Sequence, residues 1–392
     1  MRPIALVLLF ALSPRTTFSE IRSALYQHRE VWQMESGELR VSITQAGGHI
    51  AEIVLKTRNS INPLWVQNRP TIDPTTYVRQ RDEQLYGGGS AAKLLSGLMG
   101  HNLCFPYWGN PSDSEYQAGM TFHGETGIVP WRKVEANQSS SGLDIQIVAD
   151  LPESKTRFTR SIRLVSGQTI VYFESHAENL ASLDRPISWC EHVTVGQPFL
   201  KKGVTVFDAS LTRGRSSDNS TSAELRWPSG QAEVPVDLTR VRTVEQSGFV
   251  NNFLVDPSAR FGYFAVSNPE LRLLFGYVFR REDFSWLNIW EANEPEQKDH
   301  PGTLARGMEF SDTPVHGSLR ALLAEPRLFD TPTFEWLNAK SRLVKRFCAF
   351  SSELPEDFNG VQSLAVSSDS LEIVEKGRGR KVILPFNGKF LQ

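Results

Sequence analysis

The sequence predicts an all-β chain folded as a large antiparallel sandwich, and three observations carry that expectation. Short segments alternate apolar and polar residues with a period of two, as Arg157–Leu164 does along its whole length, which suits strands with one buried face. Glycine and proline punctuate the chain at short intervals, so the segments are strand-sized. Convincing helical periodicity is nearly absent; the best helix candidate, Glu335–Arg346, reads equally well as a strand.

The 392 residues suffice for one large all-β unit, and 40% hydrophobic against 22% charged residues supports a substantial core. A net charge of −2, without a basic stripe, argues against nucleic acid as the main ligand. Of the nine Trp and 23 Phe many must be core, but aromatic faces also stack on the apolar faces of sugar rings and other flat ligands. Cys104, Cys190 and Cys348 allow at most one disulfide, and no CxxC or HExxH spacing supports a metal site.

Taken in order, the chain opens with Met1-Arg-Pro, a nine-residue apolar run Ile4–Leu12, then Ser13-Pro14. This reads as a secretory signal over residues 1–24, cut near Ser19 or Ala24, and places the protein outside the cytoplasm or in a periplasm. A buried N-terminal element, with a cytoplasmic protein, is the alternative. The run is too short to span a bilayer, and no other run approaches that length. Leu39–Ile43 and His49–Leu55 read as a hairpin turning at Gly47-Gly48. Residues 58–100 are rich in Pro and Gly and read as a long, functional loop. Strands are expected at Leu143–Val148, Thr156–Leu164, Thr169–Ser175, Phe261–Val266, Leu271–Phe279 and Ser318–Leu323, with an exposed loop at 212–224. The tail, 351–392, gives strands at Ser363–Ser367 and Leu371–Val374 and extends the single domain 25–392 without forming its own.

Five stretches carry polar groups where a cleft could use them. His192 ends a strand-like run before Gly196 and Pro198, a place from which a rigid scaffold can present an imidazole as acid or base. His101-Asn102 and His123 sit beside glycine and aromatics in turn-rich settings. Trp286, Asn288 and Trp290 alternate on one strand face. Glu309 stands between Met308 and Phe310, so a strand would point it to the opposite side from both. Core or surface histidines would read the same way.

In their order these pieces resemble the aldose 1-epimerase (galactose mutarotase-like) family. Gly47-Gly48-His-Ile-Ala-Glu-Ile is similar to that family's opening strand, and Phe122-His123-Gly-Glu-Thr-Gly127 with Trp131 to its His-Gly loop. Ser188-Trp-Cys-Glu-His192 resembles its later His segment, and Met308-Glu309-Phe-x-x-x-Pro314 its late Glu segment. The resemblance spans roughly residues 38–325. It implies a large galactose mutarotase-like β-sandwich binding a mono- or oligosaccharide. His192 would protonate the ring oxygen, Glu309 would take the C1 hydroxyl proton, and His123 would hold the sugar, with no metal or other cofactor. His101, Asn102, Asn251, Trp286, Asn288 and Trp290 complete the expected substrate-binding set. The family's His-Pro-Tyr is here His192-Val193-Thr194, its Arg before the first His is missing, and its later sugar-contacting Asp falls at Asn251-Asn252. Three other readings stay open: a carbohydrate-binding protein without catalysis, a lyase or hydrolase drawing a second carboxylate from Glu125, Glu191 or Glu291, and a metal site built from His49, His101 and His123.

Overall fold

The computed structural model describes residues 19–392 apart from 57–59, 218–223, 233, 244–245 and 296–301. Most of the expected leader, residues 1–24, lies outside the described residues. Glu20–Tyr26 is a strand paired with Arg29–Glu35, so only the Ser19 boundary would leave that strand whole. Among the described residues no helix is long and apolar enough to cross a membrane.

Two large antiparallel sheets face each other. Among the described residues the larger has eleven strands, and its centre runs His101–Cys104, Cys190–Gly196, Thr303–Ser311, Trp286–Glu294, Gln246–Val255. The smaller has eight and includes Thr156–Val165, Ile170–Asn179, Leu273–Arg280 and Arg342–Glu353. The alternation in Thr156–Val165 does what the sequence predicts: Phe158, Ile162 and Leu164 enter the core while Arg163 stays out. Between the sheets, Leu103, Val193, Met308, Ile289 and Phe253 from one meet Phe173, Phe264, Tyr277 and Phe347 from the other. Phe279 stacks on Phe310 at 4.6 Å across this gap. Each such side chain contributes roughly 1.5–3 kcal/mol of burial.

A smaller third layer covers the far face of the eight-stranded sheet. Val361–Val366, Ser370–Glu375 and Lys381–Pro385 form a three-stranded sheet whose Leu371, Ile373 and Leu384 pack on Ile170, Val278 and Phe350. The tail's basic run thus leads into a third strand that the charge pattern hid. The tail begins later than 351, because Arg342–Glu353 is a long strand of the main sandwich.

Of the two readings open for Glu335–Arg346 the strand holds: Glu335–Leu337 and Arg342–Glu353 are strands, and β-branched and aromatic residues such as Val344 and Phe347 favour that state. Other local expectations need correction. Ser318–Leu323 is not a strand. Ser318 caps a helix, Leu319–Ala324, its hydroxyl accepting from Ala321 N–H, so the serine is a start signal. Leu211–Ser216 is a strand within the presumed loop 212–224, although its polar sequence resembles a surface turn; residues 218–223 lie outside the described part. The long loop of 58–100 holds two short helices, Arg79–Tyr86 and Ala92–Leu95.

Candidate active site

All seven residues of Cys190–Gly196 are buried, although a sandwich strand should alternate. The cause is that loops cover the outer face of the larger sheet: one satellite cluster forms around Tyr107, Met120, Val315 and Leu322, another around Leu94, Leu98 and Ile128. The site lies on this covered face.

Strand register builds it. His192 pairs with Asn102, Asn288 with Glu309, Asn252 with Asn288, and Arg215 with Asn252. His192 meets Glu309 between the pairs Glu191–Phe310 and Thr194–Gly307. Directly paired residues share a face. Asn102, His192, Glu309, Asn288, Asn252 and Arg215 therefore form one polar row across six strands. His192 Nε2 stands 2.9 Å from Glu309 Oε1, close but out of line, since Oε1 has no aligned hydrogen-bond donor.

Loops add the upper wall. His123 is held at φ 64° by its own turn, in which Gly124 lies against the Phe105 carbonyl; a Cβ there would come within 2.1 Å of that oxygen. His123 Nδ1 accepts from Gly109 N–H at 3.0 Å, which places the ring proton on Nε2. Burial, then the nearby His192 and His316, hold its pKa well below 6.5, so the ring is neutral and Nε2–H is a donor. Its centroid lies 5.0 Å from His192 and 5.7 Å from His316.

Trp290 lies over Gly307, where a Cβ would come within 1.9 Å of the indole nitrogen; its ring is 5.9 Å from His192. The indole N–H groups of Trp108 and Trp290 are buried without a hydrogen-bond partner, as are one oxygen each of Asn102, Asn252 and Asn288. Donors and acceptors mixed in this way suit a ligand with many hydroxyls, each able to give and take a hydrogen bond. Gly307→Ala should push the indole off the sheet. If a polyhydroxylated ligand sits on this ring, the change should weaken its binding about tenfold with little change in melting temperature, as for loss of an aromatic anchor. Unchanged affinity in a tryptophan-fluorescence titration would separate Trp290 from the ligand.

Three expected site residues are elsewhere. His101 points between the sheets, its Nε2 2.6 Å from Glu191 and its Nδ1 3.0 Å from Tyr277 Oη; Asn102 is the one on the site face. Asn251 also points inward and clamps Gln231 through its backbone N–H and C=O, leaving Asn252 in the row. Trp286 shares the outer face but is sealed, its Nε1–H donating to Pro332 C=O at 3.1 Å and its ring packed by Phe329. Asn102 itself sits at the closed end, under Gly127, where a Cβ would be 2.6 Å from its Oδ1. The second carboxylates are also engaged: Glu125 accepts from Glu153 and Ser154 N–H, Glu191 pairs with Arg160, and Glu291 pairs with Arg242 and Arg306.

His316 escaped the sequence reading. It lies on the segment after Glu309, exposed at the rim, with its centroid 4.5 Å from Trp108. Gly317 N–H donates to the Trp108 carbonyl at 2.8 Å and fixes the segment there. The signal was present: a His-Gly pair two residues past Pro314, a turn near a strand-borne acid.

The metal trio does not form. His49 is buried apart, its Nδ1 3.1 Å from the Gly97 carbonyl, and among the described residues no three His, Cys, Asp or Glu side chains are grouped to hold an ion. Burial, then the charge of Arg29, lowers the His49 pKa to about 3. The unfolded chain therefore takes up a proton near pH 6.5 that the folded one refuses until about pH 3. Stability is complete above that window and falls as pH drops through it, by on the order of 3 kcal/mol at pH 4. Urea unfolding at pH 7 and pH 4 should show this, with a shallower slope in His49→Gln.

No protein-family model and no curated protein matches the sequence. Solved structures do match. A galactose mutarotase-like protein from Clostridium acetobutylicum superposes with TM-score 0.60 at 14% identity, covering 86% of this chain and 99% of that one. A proposed aldose 1-epimerase from Klebsiella pneumoniae gives 0.61 at 14% identity, with 83% and 79% covered. A galactose mutarotase related enzyme from Lactobacillus acidophilus gives 0.53 at 11%, with 83% and 99% covered. The chain has the galactose mutarotase-like fold.

Proposed function

We propose that this galactose mutarotase-like sandwich interconverts the anomers of an aldose by opening and reclosing the pyranose ring under acid–base catalysis. Glu309 takes the proton of the C1 hydroxyl, the bond from C1 to the ring oxygen breaks, and protonated His192 supplies the proton to that oxygen. The resulting aldehyde turns about C1–C2. Closure on the other face, with both protons returned, gives the opposite anomer.

The observation that carries the reading is the 2.9 Å approach of His192 and Glu309 on neighbouring strands. The two oxygens they serve share a single carbon, so an acid and a base on adjacent strands can reach both at once. His123 adds a neutral Nε2–H beside them for an oxygen that gains charge. The unpartnered oxygens of Asn252 and Asn288 suit sugar hydroxyls further along the row. Structural neighbours named for mutarotation support the same reading.

A hydrolase needs a second carboxylate about 5–10 Å from the first. The engagement of Glu125, Glu191 and Glu291 elsewhere weighs against it. The test is NMR exchange between α and β anomers over a panel of aldoses. Accelerated exchange is expected for at least one. Saturable line broadening without acceleration would replace the enzyme by a sugar-binding protein, and neither effect would remove monosaccharides as ligands.

A further inference from the structure

We infer that Cys190 is the positioning residue of Glu309: its thiol holds one carboxylate oxygen and leaves the other to take the proton. The inference rests on the acid–base reading above and deepens it. Cys190 precedes His192 by two residues, so both face the site. Its Sγ lies 3.7 Å from Glu309 Oε2, while Oε1 is the oxygen that faces His192. Cys104 stands directly across from Cys190 in the ladder, and Asn102 Nδ2 donates to Cys104 Sγ at 3.6 Å. Asn102, Cys104, Cys190 and Glu309 are all fully buried, so no solvent competes for these bonds.

The two sulfurs are thiols. Ser188 N–H bonds Pro106 C=O and Thr194 N–H bonds Gly100 C=O, and these pairs fall in step with Cys190–Cys104. The cysteines thus occupy a hydrogen-bonded pair, with Cα atoms about 5.5 Å apart. A disulfide prefers Cβ atoms at about 3.8 Å, closer than such a pair brings them. Burial raises the Cys190 pKa well above 9, so the sulfur stays a donor. The choice of sulfur has a chemical consequence. A hydroxyl or amide would fix the carboxylate but stabilise its charge and weaken it as a base. A thiol is a weak donor, so it sets direction with little loss of basicity.

The test compares Cys190→Ala and Cys190→Ser in the full chain, with melting temperature as the folding control. Cys190→Ala should lower kcat about five- to tenfold with KM nearly unchanged, the loss expected for one hydrogen bond to a charged group. Its low-pH limb should move to higher pH, because the carboxylate loses a bond to its charged form. Cys190→Ser should restore the direction of the carboxylate and so recover part of kcat, while the stronger donor moves that limb to lower pH. A wild-type limb in both variants, or a loss that serine does not repair, would reduce Cys190 to packing. The S–H stretch in the infrared gives a readout independent of activity and of how well the alanine variant folds. The Cys190 band should shift in Glu309→Gln, and an unmoved band would overturn the hydrogen bond. Absence of anomer exchange in the wild type with a shifting band would instead sink the epimerase reading alone.

Discussion

Glu309→Gln should slow catalysed anomer exchange by about 10²–10⁴-fold, the contribution of one positioned general base. Glutamine keeps the size and one carbonyl oxygen, so sugar affinity should change little. The stability effect should be small. Glu309 is fully buried, with His192 2.9 Å from Oε1 and the Cys190 thiol on Oε2. The neutral amide relieves the cost of a buried charge but also removes a partner from His192, so it should melt close to the wild type. Exchange NMR and calorimetry on one preparation decide both points. An unchanged exchange rate would remove Glu309 from the chemistry. A lost rate with a large fall in melting temperature would make it structural.

The second large effect lies on the neighbouring strand, on the face opposite His192. Glu191 points into the sandwich, where Arg160, His101 at 2.6 Å and Trp189 Nε1–H at 2.9 Å surround it. Arg160 is anchored in turn by Ser175 Oγ at 3.0 Å. Burial pushes the Glu191 pKa up, but the Arg160 charge and these hydrogen bonds outweigh it and hold the carboxyl below 4.5. The same burial draws the guanidinium pKa down, from so high a starting value that it stays charged. Arg160→Met strands a buried carboxylate and should cost about 3–5 kcal/mol. Adding Glu191→Leu should return most of that loss, since the partner charge is then gone as well. The folded-state pKa is depressed, so the contribution is present above the unfolded carboxyl value and is lost as pH falls through the folded one. Urea midpoints of the single and double variants from pH 7 downward would test this. No recovery in the double variant would mean that Arg160 acts by packing.

The sequence shows the plan of the fold more clearly than its local register, for a physical reason. A period of two survives whatever the partner strand, so Thr156–Val165 is visible from its own residues. Which face a given residue takes depends on where the strand starts, and a one-residue slip reverses it. His101 and Asn102, like Asn251 and Asn252, differ by that single step. Glu309 was readable because apolar Met308 and Phe310 flank it and fix its side. His192 was assigned by its strand and following turn. His316 depends on a segment pinned by Gly317 to Trp108, a tertiary contact with no local pattern. The sealing of Trp286 by Pro332 is likewise a contact between distant segments.

His192 and Glu309, the proposed acid and base, are 117 residues apart in the chain (309 − 192) yet adjacent in the ladder. Neighbouring strands keep a spacing of about 4.8 Å that main-chain hydrogen bonds impose, whatever side chains surround them. The distance between the proposed proton donor and acceptor is thus set by backbone pitch, while the loops that carry His123, Trp108 and His316 wall the space beside them. Those loops can be rewritten, lengthened or exchanged without retuning the central pair. A scaffold of this kind separates the invariance of its chemistry from the variability of its clientele.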